Sequence, residues 1–147
     1  RVVRPVATKG ALCPAAADDF DLLFKWSCQF SIDCNLPEGP PSPERVRKAM
    51  EAGHYFFWMV ESQPVALFLR IHTPATGIDR IGSVYTPAQL RGRGYGSDGT
   101  AALCRLSLEN GASGVTLYAD VQNPTSNSIY QNVGFHKVTE VRFFELS

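Results

Sequence analysis

A glycine-rich segment, residues 85–97, joins a predicted strand to a predicted helix. Three of five consecutive positions in it are glycines, namely Gly92, Gly94 and Gly96. Because glycine has no Cβ, the backbone can approach a ligand closely there. The N–H groups of a turn that leads into a helix N-terminus bind anions, especially phosphate. With Arg91 and Arg93 adding positive charge, the segment predicts a diphosphate site on a strand–turn–helix unit.

The hydrophobic pattern predicts alternating strands and helices on both sides of this turn. The predicted strands are residues 2–6, 55–60, 64–72, 77–86 and 114–119, with one or two more within 135–146. The predicted helices are residues 18–32, 43–52, 94–110 and 123–132, with Ser42 as the N-cap of the second. A turn at residues 73–77 makes an antiparallel hairpin, and the glycine-rich turn begins a crossover connection. The order β-α-α-β-β-β-α-β-α-β-β therefore predicts an α/β fold with a mixed sheet.

Composition limits the functional classes. The 147 residues correspond to about one domain. Since 14 Lys and Arg balance 14 Asp and Glu, a highly basic nucleic-acid-binding protein is excluded. There is no apolar run of about 18 residues and no signal-peptide pattern, so we expect a cytoplasmic protein without membrane contact. The four cysteines include no C-x-x-C pair and the three histidines are isolated, so we expect reduced thiols and no metal site.

One interpretation of the turn is a dinucleotide site. Gly94, Gly96 and Gly99 satisfy G-x-G-x-x-G, and Asp120 follows about twenty residues later. However, residues 87–93 separate the predicted strand from the first of these glycines. The chain also ends 27 residues after Asp120, which is short for the further strand–helix units of such a domain. A dinucleotide-binding module is therefore the weaker alternative.

The same turn also satisfies R-x-x-G-x-G through Arg91, Gly94 and Gly96. A second segment, residues 123–135, has the pattern N-x-x-S-x-x-x-Y-x-x-x-G-F. In these two motifs the chain resembles the GNAT superfamily of acyl-CoA-dependent N-acetyltransferases. The first motif resembles the superfamily's pyrophosphate-binding signature. The resemblance is specific from about residue 81 to residue 135, and before residue 60 it rests on element order alone.

This resemblance implies a GNAT-like mixed, mostly antiparallel central sheet flanked by helices. It implies a single N-acetyltransferase domain over residues 1–147, alone or within a longer chain. It also implies acetyl-CoA as co-substrate, no metal, and a small-molecule or protein amine as acceptor. The backbone of Val84 and Thr86 would pair with the amides of pantetheine. The implied cofactor-binding residues are Val84, Tyr85, Thr86, Arg91, Gly92, Arg93, Gly94, Tyr95, Gly96, Ser97, Asn123 and Ser126.

Tyr130 is the candidate catalytic residue. It lies seven residues after Asn123, nearly two helical turns, so the two side chains share one side of the predicted helix. A phenol with a pKa of about 10 is protonated at pH 7 and can donate to a thiolate whose parent pKa is about 8.5. This role matches the general acid of the superfamily. The alternative is a ring that packs at the edge of the core.

No general base stands out in the sequence. Asp79, Asp120, Glu61 and His72 are candidates, although an ordinary solvated surface group is the default interpretation of each. By resemblance, the proline-rich loop around Pro40 lies where the superfamily often builds the wall of its acceptor site. We therefore expect acetyl transfer to a primary amine by direct attack. The alternative from another class is a non-catalytic acyl-CoA-binding or sensory domain.

Overall fold

The structure is a computed structural model that describes residues 9–118, 134, 136–139 and 143–146. The strands in these ranges are β1 (Ala11–Pro14), β2 (Tyr55–Val60), β3 (Gln63–Thr73), β4 (Ile78–Tyr85), β5 (Gly114–Tyr118), β6 (His136–Thr139) and β7 (Phe143–Leu146). The α-helices there are α1 (Phe20–Asp33), α2 (Pro43–Glu51) and α3 (Tyr95–Glu109). Among the described helices, none is both long and apolar enough to cross a membrane.

The seven described strands form one sheet in the order β1-β2-β3-β4-β5-β7-β6. Among them, only β4 and β5 pair in parallel, from Ile78 opposite Gly114 to Ile81 opposite Leu117. Every other pairing between the described strands is antiparallel. The parallel pair results from the α3 crossover, because parallel neighbours need a long connection. The predicted fold class, a mixed and mostly antiparallel sheet flanked by helices, is confirmed.

The aromatic run at the start of β2 explains how the helices are layered on the sheet. Tyr55 and Phe57 pack with α1 and α2, whereas Phe56 and Trp58 belong to the cluster beneath α3. These four residues are between 2% and 6% exposed. A strand covered on both faces is apolar at every position instead of alternating. The four aromatic rings are therefore part of the core on the two faces of the sheet.

Most predicted elements lie within two residues of the observed ones. Ser42 caps α2 as predicted, since its Oγ accepts a hydrogen bond from the Arg45 N–H at 3.2 Å. The predicted strand at 2–6 and the predicted helix at 123–132 lie outside the described residues. Strand β1 was not predicted. It has four residues and ends on Pro14, and it is defined by its antiparallel pairing with β2, which no local pattern reveals.

Gly99 lies at a close contact between α3 and β3. A Cβ at this position would overlap the ring of Phe68. Gly99→Ala should therefore lower the free energy of unfolding by about 1–3 kcal/mol, as overpacked cores do, although Ala favours an exposed helix by about 1 kcal/mol over Gly. Urea denaturation measures the effect. The matched control is Gly96→Ala, whose Cβ would lie 3.7 Å from Thr86 Oγ1 and should not destabilise. Equal stability of the two variants would contradict the close contact.

Candidate active site

The glycine-rich turn ends in a helix N-terminus whose first backbone N–H groups have no partner among the described residues. Gly94 is the N-cap of α3 with φ +86°, and Gly92 has φ +82°. The first helical hydrogen bond runs from the Asp98 N–H to the Gly94 carbonyl at 2.9 Å. The N–H groups of residues 95–97 precede this bond, and no side chain caps this end of α3. Three such amides, together with the helix dipole, are suited to bind an anion, and we call residues 92–97 the anion site.

The guanidinium of Arg91 is occupied by protein partners. Its Nη2 lies 2.9 Å from Asp33 Oδ2 at the end of α1, and its Nε donates to the Thr86 carbonyl at 2.7 Å. The Gln29 side chain and Arg91 together hold the pKa of the Asp33 carboxyl below its usual value. The sequence suggested Arg91 as a charge beside the phosphates. In the structure its side chain ties the turn to α1, whereas Arg93 is exposed.

The backbone of β4 changes its pairing at Gly82. Leu69 is opposite Ser83 and Arg70 is opposite Ile81, so Gly82 is the extra residue of a bulge. The described pairing with β5 also ends at Ile81. From Gly82 to Tyr85, β4 thus has a described neighbour only on the β3 side. This stretch contains Val84, whereas the Thr86 carbonyl just beyond it already accepts one hydrogen bond, from Arg91.

A cavity of about 490 Å³ lies beside this part of β4, on the sheet face that packs against α1 and α2. Its size is in the range of small-molecule sites. The sheet contributes Leu69, Ile71, Gly82 and Ser83. The remaining walls come from α1, from α2 and from the proline-rich loop between them, including Pro40 and Pro41. The loop that the resemblance associated with an acceptor wall does line a cavity.

Charged and polar groups line this cavity. Arg45 comes from α2, Arg80 from β4 and Glu38 from the loop. Tyr55 also lines it. Burial raises the pKa of Tyr55, and the Ser27 hydroxyl and the Arg45 charge oppose that rise. The Tyr55 hydroxyl is therefore neutral at physiological pH and can donate a hydrogen bond. Sequence reasoning missed Arg45, Arg80, Glu38 and Tyr55, and only the proline-rich loop hinted at them.

Of the candidate general bases, the three within the described residues do not line the cavity. Asp79 lies on the face of the sheet that packs against α3. There its Oδ1 is 2.6 Å from His72 Nδ1 and its Oδ2 is 3.8 Å from Arg70 Nε. Glu61 is exposed in the turn between β2 and β3. Asp120 lies outside the described residues. Among the residues that the structure describes, no cluster of His, Cys, Asp or Glu could hold a metal ion.

The remaining predicted site residues fall into two groups. The structure brings the glycine-rich turn and the Val84–Thr86 backbone to the same end of β4. Tyr130, Asn123 and Ser126 lie outside the described residues.

Comparisons with known proteins agree on the fold. The family described as FR47-like protein matches residues 59–144, more than half of the chain. Among curated proteins, no sequence matches this chain. Solved structures match it over nearly its whole length, and at identities this low the likeness concerns the fold.

Three such structures are acetyltransferases. An N-acetyltransferase from Staphylococcus aureus Mu50 is 15% identical, and the match covers 95% of this chain and 99% of that one at a TM-score of 0.76. A GNAT superfamily phosphinothricin acetyltransferase from Sinorhizobium meliloti, in complex with AcCoA, is 17% identical. The match covers 94% of this chain and 88% of that one at a TM-score of 0.73. The ribosomal-protein-S18-alanine N-acetyltransferase from Escherichia coli is 12% identical. The match covers 93% of this chain and 92% of that one at a TM-score of 0.73.

Proposed function

Because the chain belongs to the FR47-like family and to the GNAT superfamily of acetyltransferases, we propose that it transfers the acetyl group of acetyl-CoA to a primary amine by direct attack. One observation supports this most. The anion site at the start of α3 and the cavity lined by Arg80 and Glu38 lie beside the same short stretch of β4. A long anionic cofactor and a small acceptor would meet there.

Acetyl-CoA would bind along this stretch. Its diphosphate would accept hydrogen bonds from the N–H groups of residues 95–97, with the backbone of Gly92 and Gly94 close by and Arg93 adding charge. The pantetheine amides would pair with the β4 backbone at Val84, Tyr85 and Thr86 as an added strand does. The thioester would then lie near Ser83. Asn123 and Ser126 are proposed as further contacts, on the basis of their motif.

A charged amine loses two protons in this reaction, one before it attacks and one as the amide forms, and the second replaces the proton that the leaving thiolate gains. The amine nitrogen attacks the thioester carbon, the C–S bond breaks, and the leaving thiolate takes up a proton. We assign that proton to the Tyr130 hydroxyl. The attacking amine must lose a proton, because an amine with a pKa near 10.4 is almost wholly charged at pH 7. Glu38 is the one acidic side chain that lines the cavity within the described ranges, so we assign this proton to Glu38, directly or through water.

Glu38→Gln should lower kcat/KM at pH 7 by about 10-fold. This loss is smaller than the roughly 10²-fold typical of a well-placed base, because Glu38 is exposed and water can replace it. The loss should shrink as the pH rises and more of the amine is neutral. Initial rates between pH 7 and pH 9 measure this. Glu44→Gln, also exposed but in the first turn of α2, is the control. A deficit that is constant across this range would contradict the role.

The proposed function is tested by calorimetric titration with acetyl-CoA, run beside NAD. Micromolar binding of acetyl-CoA alone, followed by CoA release with a panel of amines, is the expected result. Binding of NAD alone would instead indicate a dinucleotide module. Binding of acetyl-CoA with no CoA release for any amine would favour a non-catalytic acyl-CoA sensor.

An assay that detects the thiol of released CoA will also detect the accessible cysteine thiols of the protein. No disulfide joins the four cysteines, all of which lie within the described residues, and Cys34 is exposed. Cys104 is buried, which raises its pKa to about 12, so it should not react in the folded chain. Since a thiol reagent will react with Cys34, protein without acceptor serves as the blank.

A further inference from the structure

The cavity holds two arginines without a carboxylate partner. Arg80 is half-buried, and its Nη1 lies 4.0 Å from the position that a Cβ on Gly82 would occupy. Arg45 lines the same cavity from α2. Within the described ranges, neither makes an ion pair. Other arginines of this region do have partners, since Arg70 pairs with Asp79 and Arg91 with Asp33.

Unpaired guanidinium groups that face a cavity are suited to bind a carboxylate, with planar donors and a permanent charge. The neutral Tyr55 hydroxyl lies near Arg45 and adds a donor. Glu38 lines the same cavity from the loop and carries the opposite charge. The cavity thus has positive side chains that suit a ligand's carboxylate and a negative side chain that suits its ammonium group.

We propose that the acceptor is a small zwitterion of the amino-acid class, with its carboxylate on Arg80 and Arg45 and its amine directed towards the thioester. This proposal rests on the proposed function. Arg80 is two residues before Gly82 and three before Ser83 on one strand, so the carboxylate would lie only a few ångströms from the attacking nitrogen. That spacing fits an amine and a carboxylate separated by one or a few carbon atoms.

The apolar part of the cavity indicates the rest of the ligand. Phe30, Leu36 and Ile71 line it beside the charged groups. The cavity volume of about 490 Å³ is larger than the volume that the ligand's ammonium and carboxylate groups would fill, so the ligand can also carry an apolar side chain. In the reaction, the ammonium group of the zwitterion loses two protons as its nitrogen bonds to the acetyl carbon. One goes to Glu38 or water, and the other replaces the proton that the leaving sulfur takes up when the C–S bond breaks. The products are an N-acetylamino acid and free CoA.

The first test compares leucine, methionine and phenylalanine with their carboxamides as acceptors. The amides lack the carboxylate, so their amines have lower pKa values and are more often neutral at pH 7. Without a carboxylate site, the amides would react faster. We expect kcat/KM to favour the acids by at least about 10-fold, as a charge-assisted hydrogen bond allows. Equal or faster reaction of the amides, or no reaction of any acid, would overturn the proposal.

The second test removes each charge. Arg80→Gln and Arg45→Gln should lower kcat/KM for leucine by about 10- to 100-fold and leave that for leucinamide nearly unchanged. Arg47→Gln is the matched control, because Arg47 also lies on α2 but stacks on Phe20 at 3.9 Å. Unchanged acetyl-CoA affinity verifies that each variant is folded. An unchanged preference for leucine in both cavity variants would overturn the assignment to these arginines.

A binding experiment separates this inference from the proposed function. In the presence of CoA, N-acetyl-leucine should bind the chain more tightly than N-acetyl-leucinamide, and Arg80→Gln should remove the difference. If acetyl-CoA does not bind at all, the proposed function fails. If acetyl-CoA binds but peptides and amides are acetylated better than amino acids, only the zwitterion proposal fails.

Discussion

Replacing Tyr130 with Phe should lower kcat by about 10² to 10⁴ and leave the affinity for acetyl-CoA nearly intact. The substitution keeps the ring but removes the proton donor for the leaving thiolate. The expectation rests on the 123–135 motif and the family, because Tyr130 lies outside the described residues. Steady-state rates and calorimetry on the same preparation measure the two quantities.

The pH profile gives this prediction a second observable. The wild-type rate should fall as the pH approaches about 10, where a phenol ionises, and the variant should lack that fall. An unchanged kcat would remove Tyr130 from the mechanism. The Tyr55 hydroxyl, which lines the cavity and whose pKa is raised by burial, would then be the next proton donor to test.

The order of the elements could be predicted because each has a strong local signal. Tyr55–Val60 was predicted with its observed bounds, since a short apolar run rich in aromatic residues is typical of a buried strand. The proline at the start of α2 and the Ser42 cap likewise marked that helix. Strand β1 has no such signal. It depends on pairing with residues 56–59, which are far away in the sequence.

The candidate site likewise has a part that could be predicted from the sequence and a part that could not. The glycine-rich turn is contiguous, so its glycines and its position before α3 could be recognised. The partner of Arg91 could not, because Asp33 is 58 residues away. The cavity charges come from a loop, a helix and a strand that meet only in the folded sheet. Asp79 seemed available in the sequence, but folding pairs it with His72 away from the cavity.

Placing a carboxylate at position 97 should weaken the binding of acetyl-CoA without lowering the stability of the protein. Ser97 is the third residue of the helix, where an acidic side chain stabilises the helix dipole by about 0.3–1 kcal/mol. Ser97→Asp should therefore leave the free energy of unfolding unchanged or slightly raised. The same charge would repel the bound diphosphate. At about 5 Å and an effective dielectric constant near 20, each pair of unit charges costs about 3 kcal/mol, so the Kd for acetyl-CoA should rise at least about 100-fold.

Ser97→Asn distinguishes charge from shape, because Asn has the size of Asp without its charge. It should bind acetyl-CoA within about tenfold of the wild type, since it adds no repulsive charge. Raising the salt concentration should recover part of the affinity of the Asp variant and little of that of the Asn variant, as screening predicts. Calorimetry and urea unfolding measure binding and stability. If the Asp variant binds acetyl-CoA as the wild type does, the diphosphate does not lie at the start of α3, and the anion site at residues 92–97 has another ligand.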